Sequence, residues 1–278
     1  MSYQISSDIH LEFYKNVDNI HKYFTKIIEV NAQYLILAGD IGNPKEDIYW
    51  TFMNWCSENF EKIFVITGNH EYYNNDIEEV DGFLYKEFEK YENIFFLQCD
   101  KIENENTIIL GCTLWSRKSH EKVYRSYVRN FINDYRKIKK GNNLLSLNDT
   151  HNIFTNHFEW LCEEIRSIPK DKDIIIITHH LPTYKLINKK YLGKVIDTNS
   201  AFASGLDILF EFTNIKLWVC GHTHSSADKV FNQTRVCINP CGYPILSSLL
   251  HFNNDFNDFN NNDIEFENKE YKNNKIVL

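Results

Sequence analysis

The stretch Ile174-Ile-Ile-Ile-Thr-His-His-Leu-Pro-Thr183 is a short apolar run that ends abruptly at two histidines, and Leu217-Trp-Val-Cys-Gly-His-Thr-His224 follows the same pattern. A buried strand ends in this way when the side chains after its carboxyl end are used for chemistry. Neutral imidazoles are common metal ligands, so four of them after two strands suggest a metal site. Such a site also needs carboxylates from elsewhere in the chain.

Three earlier segments share this pattern of an apolar run followed at once by small and chelating residues. They are Tyr3-Gln-Ile-Ser into Ser7-Asp-Ile-His10, Tyr34-Leu-Ile-Leu-Ala into Gly39-Asp-Ile-Gly-Asn43, and Ile63-Phe-Val-Ile into Thr67-Gly-Asn-His-Glu71. Glycine at positions 39, 68 and 221 allows a sharp turn off each strand and a close approach of backbone to a ligand. Five strand ends that point the same way would converge on one crevice.

The segments between these runs have helical spacing, notably 17–28, 50–60, 83–91 and 151–168. Strands that alternate with helices predict βαβ units and a largely parallel sheet. The later strands at 94–97, 107–112 and 235–238 follow shorter connections, which favours some antiparallel pairing. We therefore predict an α/β fold with a mixed, two-sheet core, closed by a strand at 275–278.

Length and charge narrow the class of protein. The 278 residues, 43% of them hydrophobic, can bury a substantial core, and we expect residues 1–278 to form a single domain. A formal charge of −8 argues against a protein that coats nucleic acid, since that requires a basic face. We find no secretory signal and no apolar run of membrane-spanning length, so we expect a cytoplasmic location without membrane contact.

The seven cysteines are odd in number, scattered and mostly inside apolar segments. This distribution is typical of reduced core thiols in a cytosolic protein. Cys237 and Cys241 are four positions apart, but there is no second pair that would complete a zinc knot.

Residues 115–149 are basic in a chain that is acidic overall. Such a local excess of cations has two interpretations. The segment is either a solvated helical excursion or a cap that attracts an anionic substrate to the crevice. By contrast, residues 251–262 are rich in Asn and predict a surface loop.

The five strand ends together offer enough ligands for two cations. On an extended strand, Asp8 and His10 would face the same way, and Asp40 could bridge two ions. A single His after a strand is more often hydrogen-bonded in a loop than bound to metal, but six of the eleven histidines fall in these five segments. The candidate ligands suit two divalent ions roughly 3.5–4 Å apart, an arrangement that acts on phosphoryl centres. They are Asp8, His10, Asp40, Asn69, His179, His222 and His224.

The ordered set Asp-x-His, Gly-Asp, Gly-Asn-His-Glu, Thr-His-His and Gly-His-Thr-His resembles the calcineurin-like metallophosphoesterase superfamily. The resemblance extends over nearly the whole chain, to a mostly bacterial-type subgroup of small, single-domain members. The segments that resemble this subgroup are Ser7-Asp-Ile-His-Leu-Glu-Phe13, Gly111-Cys-Thr-Leu-Trp115, Asn133-Asp-Tyr-Arg136, Asn199-Ser-Ala-Phe-Ala-Ser204 and Asn239-Pro-Cys-Gly-Tyr243.

This resemblance implies a four-layer αββα sandwich with the site at the ends of the sheets. It also implies two ligand sets for divalent cations, with manganese preferred and iron, zinc or nickel as alternatives. Asp8, His10, Asp40 and His224 would hold the first cation. Asn69, His179 and His222 would hold the second together with Asp40, which bridges the two.

The mechanism that the resemblance implies is attack on phosphorus by a hydroxide that bridges the two cations. His70 would act as general acid toward the leaving oxygen, although it could instead only orient the phosphoryl group. Asp40 and Glu71 complete the catalytic set, with Glu71 orienting its neighbours through hydrogen bonds.

Four residues are candidates for substrate contact, each with an alternative. His180 would point away from the site if it follows strand alternation, which gives it a structural role. Asn43 either lines the site or caps the following helix. Arg117 and Arg136 would bind phosphate oxygens with their guanidinium groups, or lie on a solvated surface.

The expected activity is hydrolysis of a phosphomonoester or phosphodiester of a small molecule or nucleotide. One alternative is a nuclease of the same superfamily, which the basic segment 115–149 favours and the overall negative charge disfavours. Another is a catalytically silent adaptor that keeps the metal site. Loss of a ligand or of His70 would mark such an adaptor, and every ligand position carries the expected residue type.

Overall fold

The computed structural model describes residues 2–14, 20–117, 122–192, 198–246 and 264–277. Its strands are β1 Tyr3–Ser6, β2 Tyr34–Ala38, β3 Lys62–Ile66, β4 Ile94–Phe96, β5 Asp100–Asn104, β6 Thr107–Cys112, β7 Lys139–Lys140, β8 Asn143–Leu144, β9 Asp173–Thr178, β10 Ile215–Cys220, β11 Ala227–Phe231, β12 Thr234–Ile238, β13 Pro244–Leu246, β14 Ile264–Phe266 and β15 Ile276–Val277. Its α-helices are α1 Phe24–Ile27, α2 Asp47–Asn59, α3 Ile77–Phe88, α4 Lys122–Phe131, α5 Asp134–Lys137 and α6 Leu147–Ser167. The Asn-rich loop predicted at 251–262 lies outside the described residues.

Among the described residues, the first sheet has the strand order β15-β1-β2-β3-β4. β1, β2, β3 and β4 are parallel, whereas β15 joins the edge antiparallel to β1. The connections between the parallel strands pass through helices, as a crossover between parallel neighbours requires. The strand predicted near the end of the chain is therefore confirmed as an edge strand.

The second sheet has the order β11-β12-β10-β9-β6-β5. Its four central strands are parallel, and the edge strands β11 and β5 are antiparallel to their neighbours. Each antiparallel edge is a hairpin with a short loop, which explains the short connections before β6 and β12, whereas β4 pairs in parallel with β3. The prediction of a mixed, two-sheet core is confirmed.

The two sheets pack face to face through alternate residues of their central strands. Ile36, Phe64, Ile175, Ile177 and Val219 belong to one buried cluster between the sheets. The intervening residues of the same strands face outward into a second apolar cluster. Because both faces of these strands are buried, they are continuous apolar runs rather than alternating ones.

Helices cover the outer faces of both sheets. Residues of α2 and α3 pack with the outward-facing residues of β2 and β3 in this second apolar cluster. Residues of α6 pack there with the outward-facing residues of β9. Asp76 caps α3 by accepting from the backbone N–H groups of Glu78 and Glu79, and α6 begins at a capping box between Ser146 and Asp149. The result is the predicted four-layer αββα arrangement.

Two helical segments differ from the sequence expectation. The predicted helix at 17–28 is reduced, within the described residues, to a 3₁₀ turn at Ile20–Tyr23 and the single turn of α1. The segment 115–149 is helical as expected, in α4 and α5, and also contains the small hairpin β7–β8. Within the described residues, no helix has both the length and the apolar character needed to cross a membrane. That a single domain spans residues 1–278 stays a prediction.

Candidate metal centre

Five loops meet at one edge of the sandwich, and each follows the carboxyl end of a parallel strand. They are the loops after β1, β2, β3, β9 and β10. The loops are so close that side chains at two of their glycines would collide with neighbouring carboxylates. A Cβ on Gly68 would lie 2.1 Å from Oδ1 of Asp40, and a Cβ on Gly221 would lie 2.6 Å from Oδ2 of Asp8. Glycine is therefore required at both positions by the carboxylates themselves.

Five candidate ligands have left-handed backbone conformations. The φ angles are 52° for Asp8, 55° for His10, 54° for Asp40, 73° for His222 and 45° for His224. Non-glycine residues rarely adopt such angles, and where they do, the strain is often tied to function. The prediction that Asp8 and His10 lie on an extended strand is wrong, because β1 ends at Ser6 and both residues bend toward the site in the following loop.

The structure brings Asp8, His10 and His224 together as one possible ligand set, with one donor atom of each within 4.8 Å of the others. The Nε2 atoms of His10 and His224 are 2.9 Å apart, and Nε2 of His224 lies 3.4 Å from Oδ1 of Asp8. Asp8 also accepts hydrogen bonds from the backbone N–H of His222 at 2.9 and 3.1 Å. These contacts tie the loop after β10 to the loop after β1.

Asp40, His179 and His222 form a second set by the same criterion. Nε2 of His179 lies 3.3 Å from Oδ2 of Asp40 and 3.2 Å from Oδ1 of Asn69, so the side-chain oxygen of Asn69 also belongs here. All four residues come from loops that lie apart in the chain. The second set thus combines two imidazoles, a carboxylate and an amide.

Asp40 lies between the two sets. Its Oδ2 is 3.9 Å from Nε2 of His10 and 3.3 Å from Nε2 of His179, one imidazole from each set. Its Oδ1 accepts a hydrogen bond of 2.7 Å from the backbone N–H of His70. The carboxylate is therefore held in a position where it faces both sets at once.

A model of the calcineurin-like phosphoesterase family matches residues 4–226. This chain belongs to the calcineurin-like phosphoesterase family. The family performs metal-dependent hydrolysis of phosphoesters. The matched region contains all the candidate ligands, and the earlier resemblance is confirmed.

One curated relative and two solved structures illustrate what this chain is similar to. The chain is 28% identical over 279 residues to the uncharacterized protein L509 of Acanthamoeba polyphaga mimivirus, covering 93% of this chain and 95% of that protein. Its fold is similar to that of the phosphopantetheinyl hydrolase PptH from Mycobacterium tuberculosis, with a TM-score of 0.65, 12% identity, and coverage of 87% and 89% of the two chains. A putative 5'-nucleotidase from Staphylococcus aureus aligns with a TM-score of 0.48 and 14% identity, over 86% of this chain and 48% of that one.

The donor atoms fit the divalent cations that this phosphoesterase family uses. Two imidazole nitrogens that share one cation at about 2.0–2.1 Å lie roughly 2.9–3.4 Å apart. The 2.9 Å between the Nε2 atoms of His10 and His224 agrees with this spacing. Mixed nitrogen and oxygen donors suit first-row divalent metals.

Three of the candidate imidazoles are oriented toward the centre by an oxygen atom that lies within hydrogen-bonding distance of Nδ1. Nδ1 of His10 lies 3.2 Å from Oε1 of Glu12, Nδ1 of His179 lies 2.9 Å from the carbonyl oxygen of Ala38, and Nδ1 of His224 lies 2.7 Å from Oε2 of Glu267. In each case Nε2 is left for the centre. Metal-binding histidines are commonly fixed by such partners.

The amide of Asn69 is oriented by Asp134, a residue of α5. Nδ2 of Asn69 donates to Oδ1 of Asp134 at 2.8 Å, and the hydroxyl of Tyr73 donates to the same oxygen at 2.9 Å. An amide has one donor end and one acceptor end. Because Asp134 takes the donor end, Oδ1 of Asn69 faces the second ligand set.

Glu71 is buried beneath the loops and does not reach the cavity. Its carboxylate accepts from the backbone N–H groups of Gly68 at 2.7 Å, Ile41 at 2.7 Å and Asp40 at 3.1 Å. Burial and the charge of Asp40 raise the pKa of Glu71 to about 7, although these backbone donors lower it. Glu71 therefore joins the loops after β2 and β3, consistent with an orienting role.

The pKa values of the candidate ligands respond to their mutual charges. Burial alone would raise the pKa of Asp40, but the nearby charges of His179 and His70 hold it well below its usual range. Burial opposes protonation of His179, yet Asp40 raises its pKa to about 9. Burial likewise opposes protonation of His224, while Asp8 and Glu267 raise its pKa to about 10. The neighbouring carboxylates thus favour the protonated forms of His179 and His224, and a cation would compete with those protons.

His70 lies at the edge of the centre, with its ring 4.3 Å from that of His10. Its Nδ1 lies 2.7 Å from Oε1 of Glu12, and its Nε2 lies 3.5 Å from the hydroxyl of Tyr243. Burial lowers the pKa of His70, but Asp40 and Glu12 raise it above its usual value. These two carboxylates thus favour the protonated form of the imidazole, which borders the cavity.

A cavity of about 410 Å³ opens above the two ligand sets. Asp40, Asn69, His70, His222 and His224 form its polar floor. Apart from the carboxylates of Asp134 and Glu267, its walls are largely apolar or uncharged. They include Tyr73, Phe131, Ile132, Asn133, Ile187, Tyr191, Thr198, Asn199, Ala201, Phe202 and Tyr243. None of the described residues that line the cavity is Lys or Arg.

The predicted substrate contacts lie outside this cavity. The side chains of Arg117 and Arg136 are exposed and do not line it. Oδ1 of Asn43 accepts from the backbone N–H of Lys45 at 3.0 Å, in a turn that precedes Glu46, the N-cap of α2. The segment 115–149 nevertheless supplies one wall of the cavity, through residues 131–134 rather than through its basic side chains.

His180 is buried behind the centre rather than in the cavity. Its ring stacks on Trp115 at 5.3 Å and lies 4.2 Å from the ring of His222. Burial and the charge of His179 lower its pKa to about 3. His180 is therefore neutral and packs against a candidate ligand.

Sequence reasoning did not single out Glu12, Asp134, Tyr243 or Glu267. The first three lie in the quoted segments that resemble the subgroup, so the signal was present for them. Within Asn133-Asp-Tyr-Arg136, the acidic residue faces the site and the arginine faces solvent. Glu267 lies beyond the last such segment, and no local pattern marks it.

Proposed function

We propose that this family member is a dinuclear-metal phosphoesterase. Asp8, His10, Asp40 and His224 would hold the first divalent cation. Asn69, His179 and His222 would hold the second together with Asp40. The observation that supports this proposal most is the position of Asp40, whose Oδ2 faces an imidazole of each set at 3.9 and 3.3 Å.

The proposed reaction is hydrolysis of a phosphomonoester or phosphodiester. Two divalent cations, when bound, supply a hydroxide nucleophile near neutral pH and neutralise charge on the phosphoryl oxygens. His70 donates a proton to the leaving oxygen, because its Nδ1 is held by Glu12 and its Nε2 borders the cavity. Glu71 keeps Asp40 in place through its backbone hydrogen bonds.

The size and lining of the cavity support a small substrate. A volume of about 410 Å³ suits a small molecule, and aromatic and aliphatic side chains form its walls. A nucleic-acid strand would require basic residues to follow its phosphates. Since the described lining has no Lys or Arg, the proposal favours a small phosphoester, including a mononucleotide, over a nucleic acid.

A direct test uses the purified protein loaded with Mn²⁺ and two substrates, p-nitrophenyl phosphate and bis-p-nitrophenyl phosphate. We expect hydrolysis of at least one of them, and its loss in the Asp40→Ala and His222→Ala variants. Metal analysis should give two Mn²⁺ per wild-type chain and fewer in both variants. Full activity in either variant would refute the ligand assignment. Two bound cations without turnover of any phosphoester in a broad panel would instead indicate a silent adaptor.

A further inference from the structure

A second cluster of possible ligands lies outside the centre described above, between the edge of the second sheet and helix α6. One donor atom each from Cys99, Cys112 and His157 lies within 4.8 Å of the others. Cys99 precedes β5, Cys112 ends the neighbouring strand β6, and His157 projects from α6. All seven cysteines of the chain are free thiols, so no disulfide accounts for the pair.

His157 adds a second observation, a buried ring nitrogen without a partner. His157 is only 9% exposed, and its Nδ1 has no hydrogen-bond partner among the described residues. A buried polar nitrogen without a partner costs about 1–3 kcal/mol. Such an atom calls for an unseen partner, such as a water or a cation.

The backbone holds the two thiols together. The N–H of Cys99 donates to the carbonyl oxygen of Gly111 at 2.9 Å, which places Cys99 beside the end of β6. Cys99 has a φ of 60°, a left-handed conformation that non-glycine residues seldom adopt. The turn between β4 and β5 thus directs the Cys99 side chain toward Cys112 and α6.

The electrostatic environment favours a thiolate at this position. The hydrogen bond from Cys112 lowers the pKa of Cys99 to about 6, with a further contribution from His157, although burial opposes the shift. A thiolate is the form of cysteine that binds metal. Burial and the neighbouring Cys99 raise the pKa of Cys112, so this second thiol would lose its proton only when the cation binds.

We propose that Cys99, Cys112 and His157 bind a thiophilic divalent cation of the Zn²⁺ class. In tetrahedral zinc sites the Zn–S and Zn–N distances of about 2.3 and 2.0–2.1 Å place the donor atoms roughly 3.6–3.8 Å from one another. The three donor atoms already lie within 4.8 Å of one another, so small side-chain movements suffice. Two thiolates would neutralise the charge of the cation.

The fourth ligand is water or a neighbouring carboxylate. A cavity of about 160 Å³, lined by His157, Asp81 and Gln98, adjoins the cluster and has room for a water molecule. The bound cation would connect the edge of the second sheet to α6. This site differs from the dinuclear centre in its chemistry, because the proposed ligands of that centre are nitrogen and oxygen only.

The difference in ligand chemistry gives a selective test. Co²⁺ is added to the full-length, reduced protein, and the thiolate-to-Co²⁺ charge-transfer absorption in the near ultraviolet is recorded. We expect this band in the wild type and its loss in Cys99→Ser and Cys112→Ser. Cys162→Ser, on the same helix as His157, is the matched control and should keep the band. Zn²⁺ should displace Co²⁺ and abolish the band, since Zn²⁺ binds such sites more tightly.

A second measurement uses the wild type alone, so that it does not depend on the folding of the variants. Cys99 is half-buried and the other six cysteines are buried, so iodoacetamide should modify Cys99 first. We expect Zn²⁺ to slow this modification by about tenfold or more, and Mn²⁺, which prefers oxygen ligands, to leave it unchanged.

Three outcomes would overturn the proposal. The first is the absence of a thiolate band in the reduced wild type. The second is a band that persists in both cysteine variants. The third is a Cys99–Cys112 disulfide that forms in air while Zn²⁺ is present, because it would show that the two thiols serve as a redox pair rather than as ligands.

Discussion

Oε1 of Glu12 lies 2.7 Å from Nδ1 of His70, and this contact fixes which nitrogen of His70 faces the cavity. The same oxygen lies 3.2 Å from Nδ1 of His10, a candidate ligand. One carboxylate thus orients the proposed general acid and a neighbouring imidazole together. The geometry links the protonation of His70 to the ligand set beside it.

We expect Glu12→Gln to reduce kcat by about 10- to 100-fold, as loss of an orienting partner commonly does. The charge of Glu12 raises the pKa of His70, and a general acid works only while protonated. Removal of that charge should lower the pKa of His70. The decline of kcat at high pH should therefore begin at a lower pH than in the wild type. The pH dependence of kcat, with the exposed Glu58→Gln as control, checks this. An unshifted basic limb would contradict the role of Glu12.

Asp134 is predicted to act on metal affinity through Asn69. In Asp134→Ala the amide of Asn69 loses the acceptor that holds its Nδ2, so its oxygen is no longer fixed toward His179. We expect the affinity for the second cation to fall by about 10- to 100-fold. Calorimetric titration with Mn²⁺ measures this, and exposed Asp171→Ala is the control. Equal affinities in both variants would show that Asp134 is dispensable.

Glu71 is predicted to stabilise the loops even without metal. In Glu71→Gln an amide group replaces one carboxylate oxygen and faces backbone N–H groups of Gly68, Asp40 or Ile41. At least one buried donor then loses its acceptor, which costs about 1–3 kcal/mol. Urea unfolding of the protein freed of metal by a chelator should show this loss of free energy of unfolding in Glu71→Gln. The exposed variant Glu89→Gln should unfold like the wild type. An unchanged free energy would mean that water replaces the lost acceptor.

Asp228, on the edge strand β11 of the second sheet, gives a pH-dependent contribution to stability. It accepts two hydrogen bonds from Arg235, at 2.9 and 2.8 Å, and one of 2.5 Å from Lys275 beside β15. The bond from Arg235 contributes most to a pKa well below the usual range. The stability is therefore present above about pH 4, the pKa of the unfolded chain, and is lost as the pH falls toward the folded value.

Because the side chain of Asp228 is 34% exposed, solvent screening limits this contribution, and Asp228→Asn should cost only about 0.5–1 kcal/mol at pH 7. The difference from wild type should shrink by pH 3. Urea unfolding at both pH values tests this, with Asp173→Asn, whose partner Lys216 lies 4.0 Å away, as the control. A difference that stays constant between the two pH values would exclude the charged contact as its cause.

The sequence alone was sufficient to predict the eight parallel strands and the chelating residues that follow five of them, but not the antiparallel edge strands β5 and β11. The run Ile174 to Ile177 is apolar throughout because the strand is buried on both faces, so its place in the core is visible without coordinates. The chelating residues after each run could be located for the same reason. A run of buried apolar side chains gives way to polar ones where the strand leaves the apolar core. The mixed, two-sheet core followed from this local pattern, whereas the family and its four-layer arrangement followed from the resemblance of the motifs.

Only the tertiary structure could supply the contacts between distant segments. Glu12 is 58 residues from His70, and Asp134 is 65 residues from Asn69. No local pattern distinguishes these carboxylates from those exposed to solvent. No pattern in the sequence indicated that Asp134 rather than Arg136 would face the site. His157 and Cys99 meet only because α6 packs beside the edge of the second sheet. The periodicity of a chain records which side chains are buried, whereas the choice of their partners depends on how the layers are stacked.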